Sequence, residues 1–98
     1  MSRADPLEDA PPADVPMRLA ALPLGSFTAS VQGTRWLLTR SCQAQGRVQK
    51  LVGQALDGSD RISFNLYQTA QGWRLRPCEM PAAKVIGILR ALSPLDDQ

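Results

Sequence analysis

The sequence contains no histidine, only two cysteines and only two lysines. Without an imidazole the commonest general base and the commonest nitrogen ligand for metals are excluded. Two thiols cannot close a four-sulfur zinc site. No serine or cysteine has a histidine to activate it, and no glycine-rich loop of the phosphate-cradling kind is present. Carboxylates are scarce in the body of the chain. Asp57 and Asp60 flank the turn-forming run Asp57-Gly58-Ser59-Asp60, and Glu79 stands alone, so none reads as half of an acid/base pair. The sequence therefore implies no cofactor, no metal and a non-catalytic protein.

Long apolar runs are also missing. The longest mostly apolar stretch near the start, Met17 to Leu24, is broken by Arg18 and Pro23, and Asp5, Glu8 and Asp9 stand where a secretory signal would carry basic residues. These features predict a cytoplasmic protein that does not enter a membrane, with its cysteines as reduced thiols.

What is present is a segregated charge. The formal net charge of +2 over 98 residues is what remains after cancellation. Residues 17–95 carry ten basic side chains against three acidic ones, a balance of +7. Eight of the ten are arginine, the side chain suited to planar, bidentate recognition of carboxylate or phosphate. The acidic residues collect at the two ends. Residues 1–16, with Asp5, Glu8, Asp9, Asp14 and four prolines, read as a disordered acidic tail, because they bury too little apolar surface to offset their ordering entropy. Residues 96–98 form an acidic C-terminal end, and 17–95 a single small domain.

Within that domain an offset of 37 aligns 26–56 with 63–93, matching Ser26-Phe27 to Ser63-Phe64, Trp36 to Trp73, Leu38 to Leu75 and Val48 to Val85. Each half, about 25–56 and 62–93, reads as two strands and a helix. Phe27, Ala29 and Val31 alternate with polar residues, as do Ile62, Phe64 and Leu66, and then Trp73 and Leu75. The first hairpin is expected to turn at Gly33-Thr34, with Val31 facing Trp36, and the second at Thr69-Ala70-Gln71-Gly72. Pro81 followed by Val85, Ile88, Leu89 and Leu92 predicts a helix that stops at Ser93-Pro94. Val48, Leu51, Val52, Ala55 and Leu56 carry the same spacing over about 43–56, although Gly46 and Gly53 each cost a helix about 1 kcal/mol. The predicted fold is α+β: a two-layer, four-stranded antiparallel sheet with two helices on one face, in tandem ββα repeats (ββαββα). If 43–56 is instead a strand, the alternative is a five-stranded antiparallel sheet with one C-terminal helix.

The alternation that turns Phe27, Trp36, Phe64 and Trp73 into the core turns their neighbours outward. Arg35, Leu37, Thr39, Tyr67, Arg74 and Arg76 then share the uncovered face with small polar residues and no carboxylate. Arginine and tyrosine combine apolar area with directed hydrogen bonds and are enriched at binding hot spots. The function read from this pattern is an adaptor or assembly factor that docks this basic face onto an acidic surface of a larger protein assembly. Single-stranded nucleic acid is the alternative partner, with the arginines on phosphates and Tyr67 stacking a base. A third use is a homodimer around Leu37 and Tyr67. Cys42 and Cys78 both fall where a predicted strand gives way to a predicted helix. If the two second strands were neighbours, a redox-active disulfide could join them.

Overall fold

The structure, a computed structural model, describes residues 10–95. The acidic residues 1–9 and 96–98 lie outside the described residues. The chain forms a helix α1 (Asp14–Ala20) and five strands in succession: β1 (Gly25–Val31), β2 (Thr34–Gln43), β3 (Val48–Ala55), β4 (Arg61–Thr69) and β5 (Gly72–Pro77). Helix α2 (Ala82–Ala91) and a short strand β6 (Leu92–Pro94) complete it. All neighbouring strands are antiparallel, in the order β5-β4-β3-β2-β1-β6.

This corrects the predicted ββαββα architecture. Residues 48–55 are strand β3, so the two hairpins join into one meander of a six-stranded sheet with two helices. The five-stranded alternative also falls short, because it omits β6 and α1. The helical spacing of Val48, Leu51, Val52 and Ala55 is a coincidence of two periods. As a strand the segment buries Gln49, Leu51 and Ala55 and turns Lys50, Val52 and Gln54 outward. Gln49 conceals that alternation, because it is a polar side chain in a core position. The segment also suits a strand through β-branched Val48 and Val52, and Gly53 marks a close approach of the neighbouring backbone. A Cβ at Gly53 would stand 2.6 Å from Cγ of Leu38 and 2.7 Å from the carbonyl oxygen of Leu37, on the neighbouring strand.

The internal repeat consequently ends at the hairpins, and even these differ in register. Phe27 pairs with Leu38 in β1–β2, whereas Phe64 pairs with Pro77 in β4–β5. The first turn is Gln32-Gly33, with Val31 opposite Thr34 and Trp36 opposite Ala29, rather than the predicted Gly33-Thr34. Both turn residues have positive φ (52° and 85°), the geometry of a type I′ hairpin. Because the displacement is two residues, every side chain keeps its predicted face. In the second hairpin the Thr69 hydroxyl donates to the Gly72 carbonyl and accepts from the Gln71 amide, closing the turn at Ala70-Gln71.

The core lies between the sheet and the two helices. Ala29, Trp36, Leu38, Leu51, Ile62, Phe64, Leu66 and Leu75 meet Val15 and Leu19 of α1 and Val85, Ile88 and Leu89 of α2. Helix α1 takes up the last three residues of the span that composition assigns to a tail. Pro16 stands in its first turn, where the missing amide leaves no bond unmade. Its C-terminal end is held by Arg40, which points inward from β2. Nη1 of Arg40 donates to the carbonyl of Leu22 at 2.6 Å, while Nε and Nη2 donate to Oε1 of Gln49. Nε2 of Gln49 in turn donates to the carbonyl of Gly46 at 2.8 Å. A cation at a helix C-terminus is favoured by the helix dipole, and this chain of bonds explains why a glutamine tolerates burial.

The helices are latched to each other at Asp14. Its carboxylate accepts from Nε and Nη2 of Arg90, both at 2.9 Å, and from Nε of Arg18 at 2.7 Å. These two guanidinium groups, Arg90 first, hold the Asp14 carboxyl well below its ordinary value of 3.8. A depressed carboxyl stabilises the fold fully above the unfolded value and loses that contribution as pH falls through the folded one. Asp14→Asn should therefore flatten the acid limb of stability below about pH 4 and change nothing at the lowest pH. Urea unfolding of both proteins across acid and neutral pH measures this. An unchanged acid limb would show that the latch does not contribute.

Candidate functional site

Both helices cover the same face of the sheet, so the other face is open. Its composition follows from strand parity, and hydrogen-bonded registers fix which residues stand side by side. One row across the sheet reads Gln43, Val48, Tyr67, Arg74, and the next reads Ser41, Lys50, Asn65, Arg76. A third reads Ser26, Thr39, Val52, Ser63, and a fourth Thr28, Leu37, Gln54, Arg61. None of the outward positions of β1 to β5 carries a carboxylate.

All six residues that the sequence assigns to this face lie on it, but they do not form one patch. Tyr67, Arg74 and Arg76 gather at the corner where β4 meets β5. Arg35 lies opposite Ser30, at the other end of β2. Gln43 marks the corner's row on that strand, so Arg35 is roughly 25 Å away along it. Leu37 and Thr39 occupy the middle. Strand β3 supplies what the sequence reading missed: Lys50 places a third cation between Ser41 and Asn65, and Val52 adds apolar area beside Leu37. The signal was present in the alternation of 48–55, hidden by Gln49.

Three features define the face chemically. Leu37, Val52 and Tyr67 are 45%, 40% and 37% exposed, an apolar strip running from the centre to the corner. An open depression of about 380 Å³, lined by Ser41, Cys42, Gln43, Val48, Lys50, Asn65 and Tyr67, lies at the corner. A second depression of about 370 Å³ surrounds Leu37, Thr39, Val52, Gln54, Arg61 and Ser63. The carboxylates of the loops that follow β3 and β5 lie at the opposite end, where Glu79 pairs with Arg61 at 3.6 Å and Asp60 accepts from Lys84. Asp57 binds the Ser59 hydroxyl and amide within the β3–β4 turn, and Asp60 is bonded to Lys84; both carboxyls are held below their ordinary range. The protein is thus polarised along its strands, with the loop carboxylates at one end and a cluster of basic side chains at the other.

Beside this corner the chain makes a left-handed turn at Ala44–Gly46, with φ of 54°, 59° and 91° at its three residues. Two of these are not glycine, a conformation that costs an L-residue roughly 1–2 kcal/mol. Gln49 and the Arg47 amide, which donates to the Ala44 carbonyl, hold the turn, and Arg47 is carried into position opposite Gln68.

The sheet order overturns the disulfide suggested for Cys42 and Cys78. Strands β2 and β5 are separated by β3 and β4, which places the cysteines about 14 Å apart from strand spacing alone. A disulfide needs Cα atoms within about 7 Å. Both thiols are free, Cys42 exposed and Cys78 half-buried. Under mild oxidation the monomer should retain both thiols. Alkylation followed by intact mass should find Cys42 modified faster than Cys78, and recovery of an internal disulfide would contradict the sheet order.

Comparison with protein-family models, with curated proteins and with solved structures finds no match to this chain. The reading of the face therefore rests on its own chemistry. Among the described residues no helix is long and apolar enough to cross a membrane, and no cluster of three or more metal-ligating side chains is found.

Proposed function

We propose that this protein is a binding module without catalytic activity, docking its uncovered sheet face onto an acidic surface of a larger protein. The observation that carries the reading is the corner of Lys50, Tyr67, Arg74 and Arg76 on a face whose outward strand positions bear no carboxylate. The exposed Leu37 and Val52 extend it into an apolar centre with a charged margin, the usual composition of a protein interface. Nucleic acid is the weaker fit, because stacking platforms present several aromatic rings and Tyr67 is the one aromatic side chain at the outward positions. A second copy packed on the same face would bring like charges together unless strongly offset. A reducing cytoplasmic setting suits two thiols that the fold keeps apart.

Affinity capture with the wild-type chain and with a Lys50→Glu, Arg74→Glu, Arg76→Glu variant tests the proposal. The wild type should recover a partner with an acidic surface, in a salt-sensitive manner, and the variant should lose it. Recovery of the same partner by both proteins would overturn the reading. Binding to mixed oligonucleotides that falls steeply with salt would transfer it to nucleic acid.

A further inference from the structure

The basic corner adjoins a sheet edge on which, among the described residues, no further strand pairs. Strands β5 and β6 are the two margins of the sheet, and they differ in kind. β6 has three residues and ends on a proline, which already blunts it. β5 has six, and its only proline is its last residue. The ladder shows which backbone groups of β5 are unpaired. The Cys78 amide donates to the Ser63 carbonyl, and hydrogen-bonded pairs alternate along an antiparallel ladder. Arg76 opposite Asn65 and Arg74 opposite Tyr67 therefore direct their backbone groups to β4. Trp73 and Leu75, between them, direct theirs to the open side.

Side chains on β5 divide accordingly. Arg74 and Arg76 point to the uncovered face, and Trp73 and Leu75 to the helix side. On that side an open groove of about 420 Å³ runs beside the strand, lined among others by Pro11, Pro16, Met17 and Trp73. Met17 is 72% exposed there. Among the described residues the edge therefore offers backbone groups with no strand partner, basic side chains on one side and an apolar groove on the other.

We propose that β5 is the seat of a partner strand. An extended acidic segment of the partner pairs antiparallel with the free edge, setting carboxylates beside Arg74 and Arg76 and apolar side chains beside Trp73 and the groove. The proposal rests on the docking function above and specifies its partner: a strand in which acidic and apolar residues alternate. Charged side chains on an edge strand ordinarily discourage pairing with another copy. Here the charge is of one sign, so it repels a second β5 and attracts an acidic strand. In the free protein Nη1 of Arg74 donates to the carbonyl of Trp73 at 2.9 Å, covering one of the edge acceptors. A carboxylate placed opposite Arg74 draws that guanidinium outward and frees the carbonyl for the incoming backbone.

The probe is a short fluorescein-labelled peptide alternating glutamate with valine, isoleucine and leucine, followed by anisotropy. It should bind at least about tenfold more tightly than a peptide of equal composition with the two residue classes in separate blocks. N-methylation of one alternating set of its amides should abolish binding, and methylation of the other set should be tolerated. The Trp73 and Leu75 amides should gain hydrogen-exchange protection on binding. Arg74→Glu with Arg76→Glu should lose the glutamate peptide and gain the lysine counterpart, a swap that an unfolded variant could not show. Equal binding of alternating and block peptides, or equal effects of the two methylated sets, would overturn the proposal. If the peptide fails while the captured partner is lost with Leu37→Asp or Lys50→Glu, the edge is wrong and the face reading stands. If those variants also keep the partner, both fall.

Discussion

Gly53→Ala is expected to destabilise the protein by about 2–3 kcal/mol, the upper part of the range for forcing an extra carbon into a packed site. The added methyl meets the Leu37 carbonyl oxygen at 2.7 Å, and Leu38 side-chain carbons at 2.6 and 2.8 Å. A flexible side chain could step aside, but a strand carbonyl cannot do so alone. It belongs to the β2–β3 ladder, which is bonded on both sides, so relief requires parting the two central strands. For a domain of this size the loss corresponds to a fall in Tm of roughly 10–20 °C. Gly87→Ala is the matched control. It lies in α2 with nothing within 4 Å of a built Cβ, and alanine there should be neutral or mildly stabilising. Thermal unfolding of the two variants decides the matter. Equal midpoints would mean that the close approach at Gly53 is not structural.

Phe64→Ala should cost about 3–5 kcal/mol, as for other buried phenylalanines. Phe64 is the largest side chain with no solvent exposure, and it sits on β4 beneath the helices. Small domains are stable by roughly 5–15 kcal/mol in total, so this single truncation removes a large part of the margin. Phe27, its counterpart in the repeat, is only half-buried and lies near the opposite edge of the sheet. Phe27→Ala should cost distinctly less. Urea unfolding of both variants would show whether the sequence repeat carries an energetic symmetry. A difference near zero would contradict the burial.

Much of the architecture was legible from period-two alternation. Phe27, Ala29 and Val31, then Ile62, Phe64 and Leu66, then Trp73 and Leu75 all face the helices as their spacing implies. The stripe of Val85, Ile88 and Leu89 correctly marks α2. The failures have separate physical causes. Gln49 satisfies its amide through Arg40 and Gly46, and so occupies a core position that a hydrophobicity pattern cannot reveal. Three long-range strand contacts complete β6, and no local signal encodes pairing between Pro94 and Ala29. The prolines of residues 1–16 argued for a tail, yet Val15, within that span, is fully buried in α1. Of the candidate face, strand parity placed Arg35, Leu37, Thr39, Tyr67, Arg74 and Arg76 correctly. Parity alone could not tell that β3 lies between the hairpins, which separates Arg35 from the others and adds Lys50 to the corner.

The pairing of β6 with β1 bears on how the protein is made. Ala29 finds its partner in Pro94, near the opposite end of the described chain, and only after α2 has crossed the sheet. During synthesis β1 to β5 can form their hairpins in order, each with a neighbour already at hand. Until the last strand leaves the ribosome, however, the outer side of β1 stays unsealed. The nascent chain therefore passes through an interval with two adhesive margins, one of them later hidden. Shortening the chain before Leu92 would make that interval permanent, and chains that stop there should associate with one another where the 98-residue chain does not.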